Sequence, residues 1–137
     1  MTLRRELTLP PGDVEYLDSS HEGWEVLRVG ATTWLVLPNF SVPGAYEQAL
    51  VTVALRIEPG YPDTQIDMVY FSPGLKRADG IAIPATESHE TIDGRSFQRW
   101  SRHRTAQNPW RAGEDDVQTH MLLVKHWLER ELVKCVT

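Results

Sequence analysis

Four short runs of aliphatic, β-branched and aromatic residues follow one another between positions 24 and 71, and each ends near glycine, proline or asparagine. Such runs predict β-strands, and the short connections between them favour an antiparallel meander. We assign the strands to residues 24–29, 32–37, 49–57 and 66–71. The third run alternates most regularly between apolar and polar residues, so one face of the sheet should be buried and the other should meet water or a partner.

A different periodicity marks the C-terminal part of the chain. The apolar residues that recur there at helical spacing are Val117, Met121, Val124, Leu128 and Leu132. Such a stripe is typical of an amphipathic helix that packs on one face of a sheet. Acidic residues at positions 114–116 stand at its predicted first turn, where they favour the positive end of the helix dipole.

The 137 residues suit a single domain, with a core at about residues 22–134. Asp13 predicts the cap of a short helical turn that ends at Leu17. Residues 74–108 have weak periodicity, and so long an irregular segment in a compact domain is typical of a functional loop or of disorder. The predicted fold class is α+β: a four-stranded antiparallel meander, a long loop and a long C-terminal helix.

The charge balance bears on possible partners. The formal net charge is -5, which argues against nucleic acid as a partner because phosphate contacts need clustered lysine and arginine. The basic residues that do cluster are Arg95, Arg99, Arg102, Arg104 and Arg111. They are interpreted either as a solvated loop or as a docking surface for an acidic partner.

Cellular location and metal binding are also constrained by composition. The single cysteine, Cys135, excludes an intrachain disulfide, and no apolar run predicts a membrane span or a signal core. A reducing cytoplasm is therefore expected. His120 and His126 fall on different helix faces, and there is no Cys-x-x-Cys or His-Glu-x-x-His pattern, so no metal site is predicted.

Two segments are the candidates for function. One begins at Tyr61-Pro62, immediately before the fourth predicted strand. The other contains Trp100-Ser101-Arg102-His103 and is followed by Trp110-Arg111-Ala112-Gly113, just before the C-terminal helix.

With these motifs in this order, the chain resembles prokaryotic family E of the ubiquitin-conjugating enzyme superfamily over roughly residues 30–134. The resemblance implies a UBC-like fold and a bacterial, cytoplasmic transferase in protein modification and antiviral defence. Its implied partners are a ubiquitin-like protein and a ThiF-type activating enzyme. No cofactor is implied, because ATP would belong to the activating enzyme.

The chain departs from the superfamily pattern at the reactive residue. No cysteine lies near the loop, the His-Pro-Asn element that usually precedes it is absent, and the N-terminal helix is shortened. Counting back from Trp110 by the superfamily's usual interval leads to Ser101 or Arg102, of which only Ser101 is a nucleophile. A cysteine replaced by serine at position 101 would leave the same sequence.

We therefore hypothesise that Ser101 accepts the ubiquitin-like C-terminus as an oxyester and that His103 is the base, acting either on Ser101 or on an incoming amine. In an extended backbone the two side chains would share a face, and Asp93, Glu90 or His89 would orient the imidazole. Arg99, Trp100, Arg102 and Trp110 are the predicted partner-binding residues.

Structural interpretations stand beside these roles. Ser101 is otherwise a turn residue, His103 a hydrogen-bond donor, and Trp100 and Trp110 packing residues. Cys135 is interpreted as an incidental thiol. At the level of the whole protein, the alternative to a conjugating carrier is a catalytically inactive module that binds a ubiquitin-like protein or an activating enzyme.

Overall fold

A computed structural model describes residues 2–133 of the chain. The elements in chain order are α1 (Pro11–Ser20), β1 (Glu25–Val29), β2 (Thr32–Ser41), β3 (Leu50–Ile57), β4 (Val69–Ser72), β5 (His89–Ile92), β6 (Arg95–Trp100) and α2 (Val117–Val133). The fold is mixed α/β, with one curled antiparallel sheet and a long C-terminal helix, which agrees with the predicted class.

The sheet has the strand order β1-β2-β3-β4-β6-β5 and is antiparallel throughout. The predicted meander corresponds to β1–β4, but the predicted number of four strands is wrong. The hairpin β5–β6 adds two further strands from the segment assigned to an irregular loop. Asp93-Gly94 forms its turn with φ angles of 53° and 79°, and this dipeptide favours the tight turn of a two-residue hairpin.

The main core lies between the inner face of the sheet and the two helices. All residues of the predicted stripe up to Leu128 are buried there, and Leu132 packs against them. The helix begins at Val117, after the acidic residues rather than with them. Asp116 is its N-cap: its carboxylate accepts from the Thr119 amide at 3.0 Å, and the Thr119 hydroxyl accepts from the Asp116 amide at 2.9 Å.

The N-terminal helix is longer than the predicted turn and includes Asp13 instead of being capped by it. The Asp13 carboxylate accepts from the Tyr61 hydroxyl at 2.6 Å and from the Val117 amide at 3.2 Å. Burial raises the pKa of Asp13. This one side chain therefore links α1, the entry to β4 and the first turn of α2.

The outer face of the sheet is partly covered, contrary to the expectation that it meets water or a partner. The residues buried there are Trp34, Ala54, Tyr70, Ile92 and Phe97. The curl of the sheet also brings its two edges within reach of one side chain. Arg4 joins those edges, with Nη2 3.1 Å from Glu25 Oε1 in β1 and 2.8 Å from Asp93 Oδ2 in the β5–β6 turn.

Candidate functional site

Ser101 lies immediately after β6, where the strand ends in a tight turn. The Arg102 amide donates to the Trp100 carbonyl at 2.9 Å, which is a hydrogen bond across a single residue, and such γ-turns are common at strand ends. The Ser101 amide donates to the Ala85 carbonyl at 3.0 Å. The backbone at this position is therefore not extended, and the expected alternation that would place Ser101 and His103 on one face stops at Trp100.

The hydroxyl of Ser101 is half-buried and donates to the thioether sulfur of Met68 at 3.8 Å. A thioether is a weak acceptor and not a base. Within residues 2–133 the structure has no hydrogen bond between Ser101 and His103.

His103 is exposed, and its ring is held at one nitrogen. Its Nδ1 lies 2.9 Å from Oδ2 and 3.1 Å from Oδ1 of Asp67. Sequence reasoning missed this carboxylate because 36 residues separate the two. The signal available was an acidic residue in the segment that follows Tyr61-Pro62.

The residues expected to orient His103 have other neighbours. Asp93 binds Arg4, and Nδ1 of His89 lies 3.1 Å from the Glu87 carbonyl. Glu90 is exposed on β5, the outermost strand on its side of the sheet. Among residues 2–133, the side chain that is hydrogen-bonded to the imidazole is therefore Asp67 and not one of these three.

Met68 stands next to Asp67 and has an unusual backbone. Its φ is 59°, in the left-handed region that is costly for a side chain other than glycine. The Met68 carbonyl lies 2.9 Å from Nε2 of His120. Because a carbonyl can only accept, Nε2 of His120 must carry the hydrogen.

His120 is fully buried in α2 and packs edge-on against Trp127. Burial lowers the pKa of His120 to about 4, so the ring is neutral at physiological pH. It therefore acts as a fixed hydrogen-bond donor that holds the backbone beneath Met68.

Trp100 and Arg99 occupy opposite faces of β6. The indole of Trp100 is fully buried, and its Nε1 donates to Gln98 Oε1 at 2.9 Å, which is the packing role and leaves no side-chain surface for a partner. Arg99 is half-exposed and donates to the Ser88 hydroxyl at 3.2 Å. Of these two predicted partner-binding residues, only Arg99 presents its side chain to solvent.

Arg102 is committed to interactions within the fold. Its guanidinium lies 4.9 Å from the centre of the Trp100 ring, 3.2 Å from Glu131 Oε1 and 2.9 Å from the Pro84 carbonyl. Only 16% of the side chain is exposed. Arg102 thus ties the chain next to Ser101 to the last turns of α2.

Similar packing removes Arg104 from the predicted basic docking surface. Arg104 is only 5% exposed, lies 3.7 Å from Asp115 and stacks over Trp110 at 4.9 Å. The side chains of Arg95, Arg99 and Arg111 remain accessible, whereas those of Arg102 and Arg104 are mostly buried.

Trp110 packs on the Tyr61-Pro62 element. Its ring centre is 6.2 Å from that of Tyr61, and its Nε1 donates to the Pro62 carbonyl at 3.0 Å. The indole is half-buried, so most of its contact is internal.

Neither helix of the described region is long and apolar enough to cross a membrane. In the same region, residues 2–133, no group of three or more histidine, cysteine or acidic residues is placed to hold a metal ion. Cys135 lies outside the described residues.

A family model described as "Prokaryotic E2 family E" matches residues 9–131, which includes α1 and every strand. Searches of curated proteins and of solved structures gave no match.

Proposed function

Because the chain belongs to prokaryotic E2 family E, a family of ubiquitin-conjugating type, we propose that it carries a ubiquitin-like protein as an oxyester on Ser101 and transfers it to a target. The activated C-terminus would come from a ThiF-type activating enzyme. Membership of the family supports a conjugating role and partners of these two kinds in general. The assignment of Ser101 depends on the site itself.

The observation that carries the proposal is the state of the Ser101 hydroxyl. It lies at the end of β6, is partly open to solvent and is bound only by the weak acceptor sulfur of Met68 among residues 2–133. Replacing that contact therefore costs little when an acyl group arrives. Its amide is held by Ala85, so the nucleophile is fixed at its backbone while its side chain stays free to react.

Loading would be an acyl exchange with the thioester of the activating enzyme. A bond forms between Ser101 Oγ and the carbonyl carbon of the C-terminal residue of the ubiquitin-like protein, and the carbon–sulfur bond breaks. The serine proton leaves with the departing thiolate as a thiol. The products are the oxyester and the free activating enzyme, so atoms balance without a further reactant.

The test mixes the chain with a ThiF-type activating enzyme, ATP and a bacterial ubiquitin-like protein which that enzyme activates, and measures intact mass. We expect an adduct equal to the two chains minus one water that is cleaved by hydroxylamine. It should be absent with Ser101→Ala and retained with Ser96→Ala, which changes an exposed serine in β6, the strand that ends just before Ser101. An activating enzyme that is charged with the ubiquitin-like protein but yields no adduct would contradict the proposal.

The second candidate is an inactive binding module, and one observation favours it. The hydroxyl of Ser101 contacts a thioether and no basic group in the part of the chain that the structure describes. Such a module would co-elute with the ubiquitin-like protein or the activating enzyme without forming a covalent adduct.

A further inference from the structure

We propose that Asp67 is a positioning residue for His103, and that the pair serves the transfer of the acyl group from Ser101 to an amine rather than its loading. The proposal rests on the proposed function of Ser101 as acceptor. It assigns the base to one atom, Nε2 of His103.

The hydrogen bond to Asp67 decides the form of the imidazole ring. Both oxygens of Asp67 lie within 3.1 Å of Nδ1, and an ionised carboxylate can only accept. Nδ1 must therefore carry the hydrogen. In the neutral ring this leaves Nε2 without a proton and able to take one.

The backbone beneath Asp67 is held from two directions. Buried His120 donates to the carbonyl of Met68, the next residue, and Val69, the residue after it, pairs with Trp100 at the start of β4. The left-handed φ of Met68 turns the chain between these two anchors. Asp67 thus projects from a fixed point of the backbone, although it lies outside regular secondary structure.

Met68, the residue after Asp67, contacts the acceptor Ser101. Met68 places its sulfur against the Ser101 hydroxyl, while its neighbour Asp67 holds His103. The acceptor and the base are therefore positioned by adjacent residues, so a shift at Met68 would displace both.

The exposure of His103 favours a role in transfer over a role in loading. The side chain of His103 is 59% exposed, whereas the Ser101 hydroxyl faces Met68. A base on the solvent side meets an arriving amine more readily than it meets the serine. In loading, the imidazole would have to take the proton of the Ser101 hydroxyl, which is bonded to Met68 and not to His103 among residues 2–133.

In transfer, the amine nitrogen attacks the ester carbon and the carbon–oxygen bond to Ser101 breaks. The amine loses a proton to Nε2 of His103, the departing serine oxygen takes one from water, and the imidazolium returns its proton to the solvent. The products are an amide and free Ser101. General base catalysis of this kind typically contributes about 10²–10⁴-fold.

The kinetic test follows single-turnover loading and, separately, discharge of the isolated adduct to a lysine peptide. With His103→Ala or Asp67→Ala we expect loading within about twofold of the unmodified chain and discharge slower by about 100-fold. Asp67→Asn, whose amide oxygen still accepts, should retain an intermediate rate. Asp63→Ala removes an exposed acid of the same loop and should change neither step.

A second readout is independent of conjugation. The ¹⁵N shifts of the His103 ring should report the Nδ1–H tautomer in the unmodified chain and in Asp63→Ala. In Asp67→Ala they should move to the Nε2–H tautomer that a free histidine side chain prefers, while the His120 signals stay unchanged as a check of the fold.

The possible results test the positioning role of Asp67 and the proposed function of Ser101 separately. An unchanged His103 tautomer in Asp67→Ala overturns the positioning role, whether or not an adduct ever forms. Loading that slows as much as discharge overturns the assignment to transfer. If the unmodified chain forms no adduct, the proposed function and the transfer assignment fall together, and the tautomer result still decides the role of Asp67.

Discussion

The indole Nε1 of Trp110 donates to the main-chain carbonyl of Pro62 at 3.0 Å, although the two residues are 48 positions apart. This hydrogen bond joins the two motifs that sequence reasoning treated separately. The pair holds the segment before α2 against the entry to β4, and so borders the part of the chain that contains Asp67 and His103.

Replacing Trp110 by phenylalanine keeps a ring against Tyr61 but removes the donor. We expect the free energy of unfolding to fall by about 1 kcal/mol, measured by urea denaturation. Trp110→Ala also removes the half-buried ring and should cost about 2 kcal/mol. An unchanged stability in Trp110→Phe would show that the hydrogen bond contributes nothing.

Gln98 should be among the least replaceable residues of β6. Its buried amide accepts from the Leu75 amide at 2.8 Å and from Trp100 Nε1 at 2.9 Å, and donates to the Leu75 carbonyl at 3.2 Å. Gln98→Met keeps the volume and leaves these groups unpaired, so we expect a loss of about 3 kcal/mol of unfolding free energy. Gln118→Met, at an exposed position of α2, should change it by less than about 0.5 kcal/mol.

His120 should make stability depend on pH. Its pKa is about 4 in the folded chain, against an ordinary value of 6.5, so between these values the unfolded chain binds more protons. Stability is therefore full above pH 6.5 and falls as the pH is lowered towards 4, by roughly 3 kcal/mol in total.

The measurement is urea denaturation between pH 4 and 7.5. His120→Gln keeps a donor within reach of the Met68 carbonyl and cannot titrate, so the difference between this variant and the unmodified chain should shrink or reverse as the pH falls. Taking this difference cancels the pH dependence that the raised pKa of Asp13 gives to both chains. His126→Gln, at an exposed position of the same helix, should follow the unmodified chain at every pH.

Ser101→Cys should change the chemistry of the adduct in a way that identifies the atom. The oxyester of the unmodified chain should survive dithiothreitol and yield to hydroxylamine, whereas the thioester of the variant should yield to both. Mass spectrometry after each treatment reads the result. Cys135→Ser is the control, because an adduct that disappears in that variant would lie on Cys135.

Sequence patterns predicted the local elements well. The four strands of the meander and the stripe of α2 are confirmed. A half-buried strand and an amphipathic helix each need apolar residues at a characteristic spacing, which can be seen in a short stretch of sequence. The hairpin β5–β6 was missed since most of its residues are exposed and carry little hydrophobic signal. Its Asp93-Gly94 turn was the one cue to it.

By itself, therefore, the sequence determined the fold class and the family resemblance, and it predicted the stretch of chain that contains the proposed nucleophile. Only the tertiary structure decided which side chains meet there. The pairing of Val69 in β4 with Trp100 in β6 brings Asp67 to His103 and Met68 to Ser101, and it buries Trp100. Contacts of this kind depend on strand order and register between distant segments, which local periodicity does not encode.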